Sequence, residues 1–194
     1  MCGIAGFFHP KGIYQNNSLR FKERLSAMGA AVKRRGPDDE GIWLGNFMGL
    51  SHRRLSIIDP EGGRQPMANA YKDGFCAIAY NGELYNTKEI KKDLLSRGCR
   101  FKTSSDTEVI LEGYMEYGTD FVKRLNGIFA IAIADTSCQT LFLFRDRVGV
   151  KPLFYTVTHE GEVIFGSELK ALFALPEISP RLDIAGANEI FSLG

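Results

Sequence analysis

The residue best suited to act as a nucleophile stands at the start of the chain, where Cys2 follows Met1 in the sequence MCGIAGFF. A cysteine attacks as its thiolate, so it needs a base or a lowered pKa. If Met1 is removed, Cys2 carries a free α-amine whose reference pKa is about 7.7–8.0. Much of that amine is neutral near neutral pH and could take the thiol proton, directly or through one water. The alternative is a buried structural cysteine, the usual state of a free thiol.

Two pairs of residues further along could bind or stabilise a substrate. Asn81 and Gly82 in AYNGELYN set a side-chain amide beside an unhindered backbone N–H, and two such donors can form an oxyanion hole. The other interpretation is a hairpin turn, because Asn-Gly is a strong turn signal and predicts a break in the strand. Arg53 and Arg54 lie in a strand-like run, where alternation places them on opposite faces. One of them could clamp a carboxylate, or both could be solvated charges on an edge strand.

Asp106 and two histidines complete the candidates. Asp106 falls in the first turn of a predicted helix, where a carboxylate favours the helix dipole, and it could also bind an ammonium group. His9 and His52 are alternative bases for Cys2, as in a Cys–His hydrolase. A nucleophile, an amine base, oxyanion donors, a carboxylate clamp and an ammonium acceptor together suit an α-amino acid with a side-chain carbonyl.

The elements that must position these groups are indicated by hydrophobic patterns. CGIAGFF predicts a buried strand, and apolar residues at helical spacing predict an amphipathic helix from Ser18 to Arg35. Strands are predicted in IWLG, FMGLSHRRLSII and FCAIAYNGELYN. A helix is predicted between the N-cap Asn86 and Gly98, and a capping box from Ser105 to Glu108 predicts the start of another.

The second half of the chain is richer in strands. IFAIAIAD, LFLFRD, PLFYTV and EVIFGS are near-continuous apolar runs, which predict a sheet covered on both faces. SELKALFAL predicts a short helix, and the sequence from Pro176 onward predicts a loop and then a weak helix. Strands cluster at both ends of the chain with helices between them. This order favours an α+β fold, with sheets packed together under helical layers, over a doubly wound sheet.

Composition limits the function classes. The 194 residues suit one domain, and 44% hydrophobic with 24% charged residues is typical of a globular protein. A net charge of +1 gives no reason to expect nucleic acid or a membrane as partner. The four cysteines form no CxxC pair and no zinc-ligand spacing, so no metal is expected. No signal peptide or membrane-spanning run is evident, and we expect a cytoplasmic location.

Sequences spread along nearly the whole chain match one known family in its own order. They are MCGIAGFF, RRGPDDEG, SHRRLSIID, GRQPM, YNGELYN, SSDTEVILEGY, LNGIFAIAIAD, FRDRVGVKPLFY and FGSELKAL. With these motifs the chain resembles the glutaminase domain of glutamine-hydrolysing asparagine synthetases, which are class II glutamine amidotransferases among the N-terminal nucleophile (Ntn) hydrolases. The resemblance implies a four-layer αββα sandwich with two mainly antiparallel sheets between helical layers.

The resemblance also implies a role for each candidate residue. Cys2, exposed by loss of Met1, would attack glutamine with its own amine as base, and Asn81 with the Gly82 N–H would form the oxyanion hole. The reaction would convert glutamine and water to glutamate and ammonia through a γ-glutamyl thioester. Substrate binding would fall to Arg54 and the backbone of Leu55, Ser56, Ile57 and Ile58 at the α-carboxylate, and to Glu83 and Asp106 at the α-amino end.

The implied partners extend beyond this chain. Residues 1–175 would form the glutaminase domain and residues 176–194 a tail that leads to a synthetase domain, acting in cis or in trans. Because the chain has no SGGxDS-type pyrophosphate loop, ATP and magnesium are implied only for that second domain, which would amidate aspartate. We expect no cofactor in this chain, and self-association into a homodimer is a further expectation. The alternatives are another acceptor, such as a sugar carboxylate, or a non-catalytic glutamine-binding or interaction domain.

Overall fold

The computed structural model describes residues 1–12, 14, 17–56 and 62–193, which form nine strands and five α-helices. The strands are β1 (Gly3–Phe8), β2 (Asp39–Leu44), β3 (Met48–Arg54), β4 (Met67–Tyr71), β5 (Gly74–Leu84), β6 (Gly127–Asp135), β7 (Thr140–Arg145), β8 (Phe154–Val157) and β9 (Val163–Gly166). The helices are α1 (Ser18–Ala31), α2 (Thr87–Ser96), α3 (Asp106–Tyr117), α4 (Leu169–Phe173) and α5 (Ile184–Leu193). Short 3₁₀ helices at Lys33–Arg35 and Gly118–Arg124 follow α1 and α3.

The strands form two antiparallel sheets. The first sheet has the order β2-β3-β1-β9-β8, and the second has the order β4-β5-β6-β7. β1 therefore lies at the centre of the first sheet, between β3 and β9. Cys2, which comes just ahead of β1, is therefore placed at the end of the central strand of this sheet.

Alternating side-chain size explains why two sheets can stack in the middle of the molecule. Along β5 and β6 the residues that face the first sheet are small, so the two sheets approach closely. This layer contains Ala77, Ala79, Ala130, Ala132 and Ala134, packed against Ile4, Met48, Leu50 and Phe165. The larger residues Ile78 and Ile133 point to the opposite face of their sheet, against α2 and α3.

The outer layers complete the sandwich. α1 and α4 pack on the first sheet in a cluster that includes Phe7, Leu25 and Leu172. α3 packs on β5 and β4, and α2 packs on α3. The order helices, sheet, sheet, helices confirms the expected αββα architecture and its α+β class. No helix among the described residues is both long enough and apolar enough to span a membrane.

The predicted strand break at Asn81-Gly82 is wrong. β5 continues through both residues, which pair with Ala130 and Phe129 of β6. Gly82 keeps an extended backbone, and its lack of a side chain serves close packing. A Cβ at this position would collide with the carbonyl oxygen of Ile128 and lie 2.7 Å from the Tyr80 ring.

The first turn of α3 differs in detail from a capping box. The Ser105 hydroxyl accepts a hydrogen bond from the Thr107 N–H at 3.1 Å, as predicted. Glu108 does not return to Ser105; its carboxylate accepts from the N–H groups of Lys102 and Thr103 at 2.8 and 2.7 Å. The loop before α3 is thus tied to the helix, and Asp106 is held at the first helical position.

Candidate active site

A cavity of about 290 Å³ lies where the amino end of the chain meets the ends of β3 and β5 and the start of α3. Among the predicted site residues, its lining includes Cys2, Arg54, Leu55, Asn81, Gly82, Glu83 and Asp106. Ser56 is described but does not line the cavity, and Ile57 and Ile58 lie outside the described residues. The fold therefore brings together side chains that are far apart in the sequence.

Cys2 is held by contacts at its sulfur and at its carbonyl. The Leu55 N–H donates a hydrogen bond to the Cys2 Sγ at 3.4 Å. The Cys2 carbonyl oxygen accepts from Arg35 Nε at 2.9 Å, and Arg35 Nη1 pairs with Glu168 at 3.1 Å. These contacts fix a candidate nucleophile at one wall of the cavity.

Asn81 lines the same cavity and has a side-chain donor without a partner. Its side chain is 2% exposed, and no acceptor for its Nδ2 lies within hydrogen-bond distance among the described residues. A buried donor without an acceptor costs free energy, so such a group commonly marks a place where a ligand completes the structure. With Gly82 next to it on the cavity wall, this amide is suited to stabilise a developing oxyanion.

The two arginines of β3 take different environments, as alternation predicts. Arg54 is buried and lines the cavity. Arg53 points to the other face, where it forms an ion pair with Glu40 and its Nε donates to the Gly29 carbonyl at 3.2 Å. Of these two arginines, Arg54 is therefore the one placed to bind a carboxylate in the cavity.

Asp106 and Glu83 provide negative charge in this cavity. Burial raises the pKa of the Asp106 carboxyl above its ordinary value, and hydrogen bonds from the Tyr80 hydroxyl and the backbone of Thr107 and Leu84 oppose that rise. The Tyr80 hydroxyl lies 3.0 Å from Asp106 Oδ2. Glu83 is exposed. The two carboxylates are suited to bind a cationic end of a ligand.

The histidines are not arranged as bases for Cys2. His52 Nε2 lies 3.1 Å from the Tyr80 carbonyl oxygen, and burial lowers its pKa from 6.5 to about 4. His9 Nδ1 accepts a hydrogen bond from the Lys11 N–H at 3.1 Å. Neither residue lines the cavity. Within the described part of the chain, no group of three potential metal ligands occurs either.

Sequence reasoning missed several polar residues that surround the site. Arg35 holds the Cys2 carbonyl, Gln65 and Tyr80 line the cavity, and the Lys151 Nζ lies 3.3 Å from the Met1 sulfur. Asp146 fixes the Lys151 backbone by accepting its N–H at 2.9 Å. All five residues lie within the motifs that carry the family resemblance, such as RRGPDDEG, GRQPM and FRDRVGVKPLFY. Their place in those motifs was the available signal.

Comparison with known proteins gives a consistent result. A family model described as a glutamine amidotransferase domain matches residues 1–194. The chain is 46% identical to asparagine synthetase [glutamine-hydrolyzing] 3 of Bacillus subtilis, covering 100% of this chain and 31% of that protein. It is 41% identical to putative asparagine synthetase [glutamine-hydrolyzing] 2 of Methanocaldococcus jannaschii, covering 95% and 37%. The chain thus spans about a third of the length of these relatives.

A solved structure supports the fold. Glutamine phosphoribosylpyrophosphate amidotransferase from B. subtilis, complexed with ADP and GMP, superposes with a TM-score of 0.68 at 21% identity. The superposition covers 89% of this chain and 43% of that chain. At this level of identity the likeness establishes a shared fold.

Proposed function

The chain belongs to the glutamine amidotransferase domain family, and we propose that it hydrolyses the side-chain amide of glutamine to glutamate and ammonia, with Cys2 as nucleophile. One observation carries the proposal: a single cavity contains Cys2, the unpartnered amide of Asn81 and the oppositely charged Arg54 and Asp106. Those groups match the reacting amide and the two charged ends of glutamine. The active species in this proposal begins at Cys2, because the base is the α-amine of that residue.

The charged residues would orient the substrate. Arg54 binds the α-carboxylate, and Asp106 with Glu83 binds the α-ammonium group. The backbone of Leu55, Ser56, Ile57 and Ile58 contributes at the carboxylate end, although the Leu55 N–H points to the Cys2 sulfur. Fixing both charged groups leaves the side-chain amide as the part of glutamine that reaches Cys2.

The chemical steps then follow from the groups at the cavity wall. The α-amine of Cys2 takes the thiol proton, and the thiolate attacks the amide carbon of glutamine. Asn81 Nδ2 and the Gly82 N–H stabilise the oxyanion of the tetrahedral intermediate. Collapse breaks the C–N bond, and the leaving nitrogen takes the proton from the ammonium of Cys2 to depart as ammonia. Water, deprotonated by the same amine, hydrolyses the γ-glutamyl thioester to glutamate and restores the thiol.

The ammonia would be used by a second domain. The similar proteins are named glutamine-hydrolysing asparagine synthetases, so we propose aspartate as the acceptor, with ATP and magnesium bound by a synthetase domain outside this chain. Exposed apolar side chains on and after β8 support contact with another domain. They are Tyr155, Val157, Leu169, Phe173, Leu182, Ile184 and Phe191. In the alternative, a second copy of this chain packs on these side chains and forms a homodimer.

Two other functions stay as alternatives. A different acceptor, such as a sugar carboxylate, would change the partner domain without changing this site. A non-catalytic glutamine-binding domain would bind glutamine with similar affinity after Cys2→Ala and form no glutamate. The combination of a fixed thiol and an unused oxyanion donor favours catalysis over binding alone.

The test is glutamate formation from glutamine by the native chain and by Cys2→Ala, with asparagine as the control substrate. We expect activity with glutamine alone and its loss in the variant. Intact mass establishes whether Met1 has been removed from the preparation. Activity from a preparation that keeps Met1 in full would contradict the terminal-amine mechanism, and activity in Cys2→Ala would contradict the nucleophile.

A further inference from the structure

Tyr80 connects the strand that carries Asn81 to the start of α3. Its side chain is buried, and its hydroxyl donates to Asp106 Oδ2 at 3.0 Å. Its backbone N–H donates to Gln65 Oε1 at 2.6 Å, while Gln65 Nε2 donates to Thr107 Oγ1 at 3.1 Å. The first turn of α3 is therefore tied to Tyr80 through both Asp106 and Thr107.

The Asp106 carboxylate needs such support. It is buried, and burial raises the pKa of its carboxyl, so the ionised form is less favourable here than in water. The hydrogen bond from Tyr80 is foremost among the contacts that oppose this effect. A protonated or rotated Asp106 would be a poor partner for an ammonium group, because it would lack either the charge or the direction.

We propose that Tyr80 is a positioning residue that gives the cavity its selectivity for substrates with an α-amino group, because its hydroxyl orients the Asp106 carboxylate. The inference rests on the proposed function, in which Asp106 binds the α-ammonium of glutamine. Tyr80 itself does not touch the reacting amide in this scheme. Its effect falls on substrate affinity and leaves the chemical step nearly unchanged.

A second buried tyrosine provides a matched control. The Tyr114 hydroxyl donates to Asp135 Oδ2 at 2.9 Å, so it makes the same kind of bond between α3 and the second sheet. Neither Tyr114 nor Asp135 lines the cavity. If Tyr80 served only to fasten α3 to the sheet, Tyr80→Phe and Tyr114→Phe would have similar effects on ligand binding.

The experiment compares how glutamine and glutaramate, which is glutamine without the α-amino group, protect Cys2 from alkylation by iodoacetamide. Mass spectrometry of the Cys2 peptide separates this reaction from that of Cys138, which is exposed. We expect Tyr80→Phe to weaken protection by glutamine about five- to tenfold, which corresponds to the net contribution of one ordinary hydrogen bond. In Tyr80→Phe, protection by glutaramate should change less than twofold. In Tyr114→Phe, protection by either ligand should change less than twofold.

Turnover gives a second readout. Tyr80→Phe should raise the KM for glutamine by the same factor and leave kcat within about twofold. In an Asp106→Asn background, Tyr80→Phe should have no further effect on the preference for glutamine, because both changes act on one contact.

Each outcome decides the inference. The inference would be overturned if Tyr80→Phe weakened protection by glutamine and by glutaramate equally, or left the preference for glutamine over glutaramate unchanged. It would also be overturned if the native chain showed no preference for glutamine over glutaramate. Failure of the proposed function is visible separately: a chain that binds glutamine selectively and forms no glutamate loses the function but keeps the role of Tyr80.

Discussion

The buried amide of Asn81 is costly to the folded chain unless a ligand uses it. A buried donor without a partner costs about 1–3 kcal/mol, and its Nδ2 has no acceptor among the described residues. Its neighbour Tyr80, by contrast, is satisfied at both its hydroxyl and its backbone N–H. The unsatisfied donor of Asn81 therefore belongs to the residue that would stabilise the negative charge of the proposed intermediate.

Replacement of Asn81 by alanine tests this interpretation. Removing one oxyanion donor should lower kcat for glutamine about 10²- to 10³-fold, because the donor acts mainly in the transition state. The KM for glutamine should change little, since Arg54 and Asp106 hold the ground state. Steady-state glutamate formation gives both constants.

Asn69→Ala is the matched control for this substitution. Asn69 is an amide on the neighbouring strand β4, where its Nδ2 donates to Glu112 at 2.8 Å outside the cavity. It should retain kcat within about twofold. If Asn81→Ala also kept kcat, or raised KM alone, Asn81 would not be the oxyanion donor.

At the scale of elements, a buried histidine joins the two sheets. His52 on β3 lies against the Tyr80 carbonyl on β5, and its pKa is lowered to about 4 by burial. The unfolded chain takes up a proton on this residue below its ordinary pKa of 6.5, whereas the folded chain resists until about 4. Stability from the neutral imidazole is therefore complete above 6.5 and declines as the pH falls toward 4.

This linkage predicts a pH-dependent free energy of unfolding. Between about pH 7 and pH 5, His52 should account for a loss of about 2 kcal/mol. In His52→Gln, which keeps a side-chain N–H donor, the decline over that interval should be smaller by this amount. Urea unfolding at the two pH values measures it, and His159→Gln, at an exposed site, is the control. An equal decline in the native chain and His52→Gln would contradict the assignment.

Strands and helices with a clear hydrophobic pattern were predictable from the sequence. Elements whose extent depends on pairing with a strand far away in the sequence were not. β1 and the long apolar strand β6 were predicted from the uninterrupted apolar runs CGIAGFF and IFAIAIAD. Local turn chemistry misled at Asn81-Gly82, because pairing with β6 keeps β5 straight and close packing at Gly82 requires glycine. β4 lacks a distinctive apolar run and is defined by its register with β5.

The candidate site shows the same division between local and distant information. The residue types of Cys2, Asn81 and Asp106 indicate chemistry, and the family resemblance assigns them to one site. The contributions of Arg35 and Tyr80 depend on bonds to Cys2 and Asp106, residues far away in the sequence. No local pattern distinguishes such a side chain from any other arginine or tyrosine.

At the scale of the whole molecule, side-chain packing indicates how far along the chain the folded unit extends. Leu175 is fully buried, Ile178 packs against the same cluster, and Glu177 pairs with Arg24 at 2.7 Å. Beyond these residues, no described helix or strand packs extensively on α5. The boundary at residue 175 stays a prediction, and side-chain packing on the folded unit continues as far as Ile178.

Two truncations separate the stabilising part of the tail from the rest. A chain that ends at Pro180 keeps Leu175, Glu177 and Ile178, so its free energy of unfolding should lie within about 0.5 kcal/mol of the full chain. A chain that ends at Ala174 loses a buried leucine and the ion pair to Arg24, and should be less stable by about 3 kcal/mol. Urea unfolding of the three proteins measures the differences. Equal stability of both truncated chains would mean that the segment after α4 contributes nothing to the core, whereas strong destabilisation at Pro180 would show that α5 stabilises this unit and not only a contact with another domain.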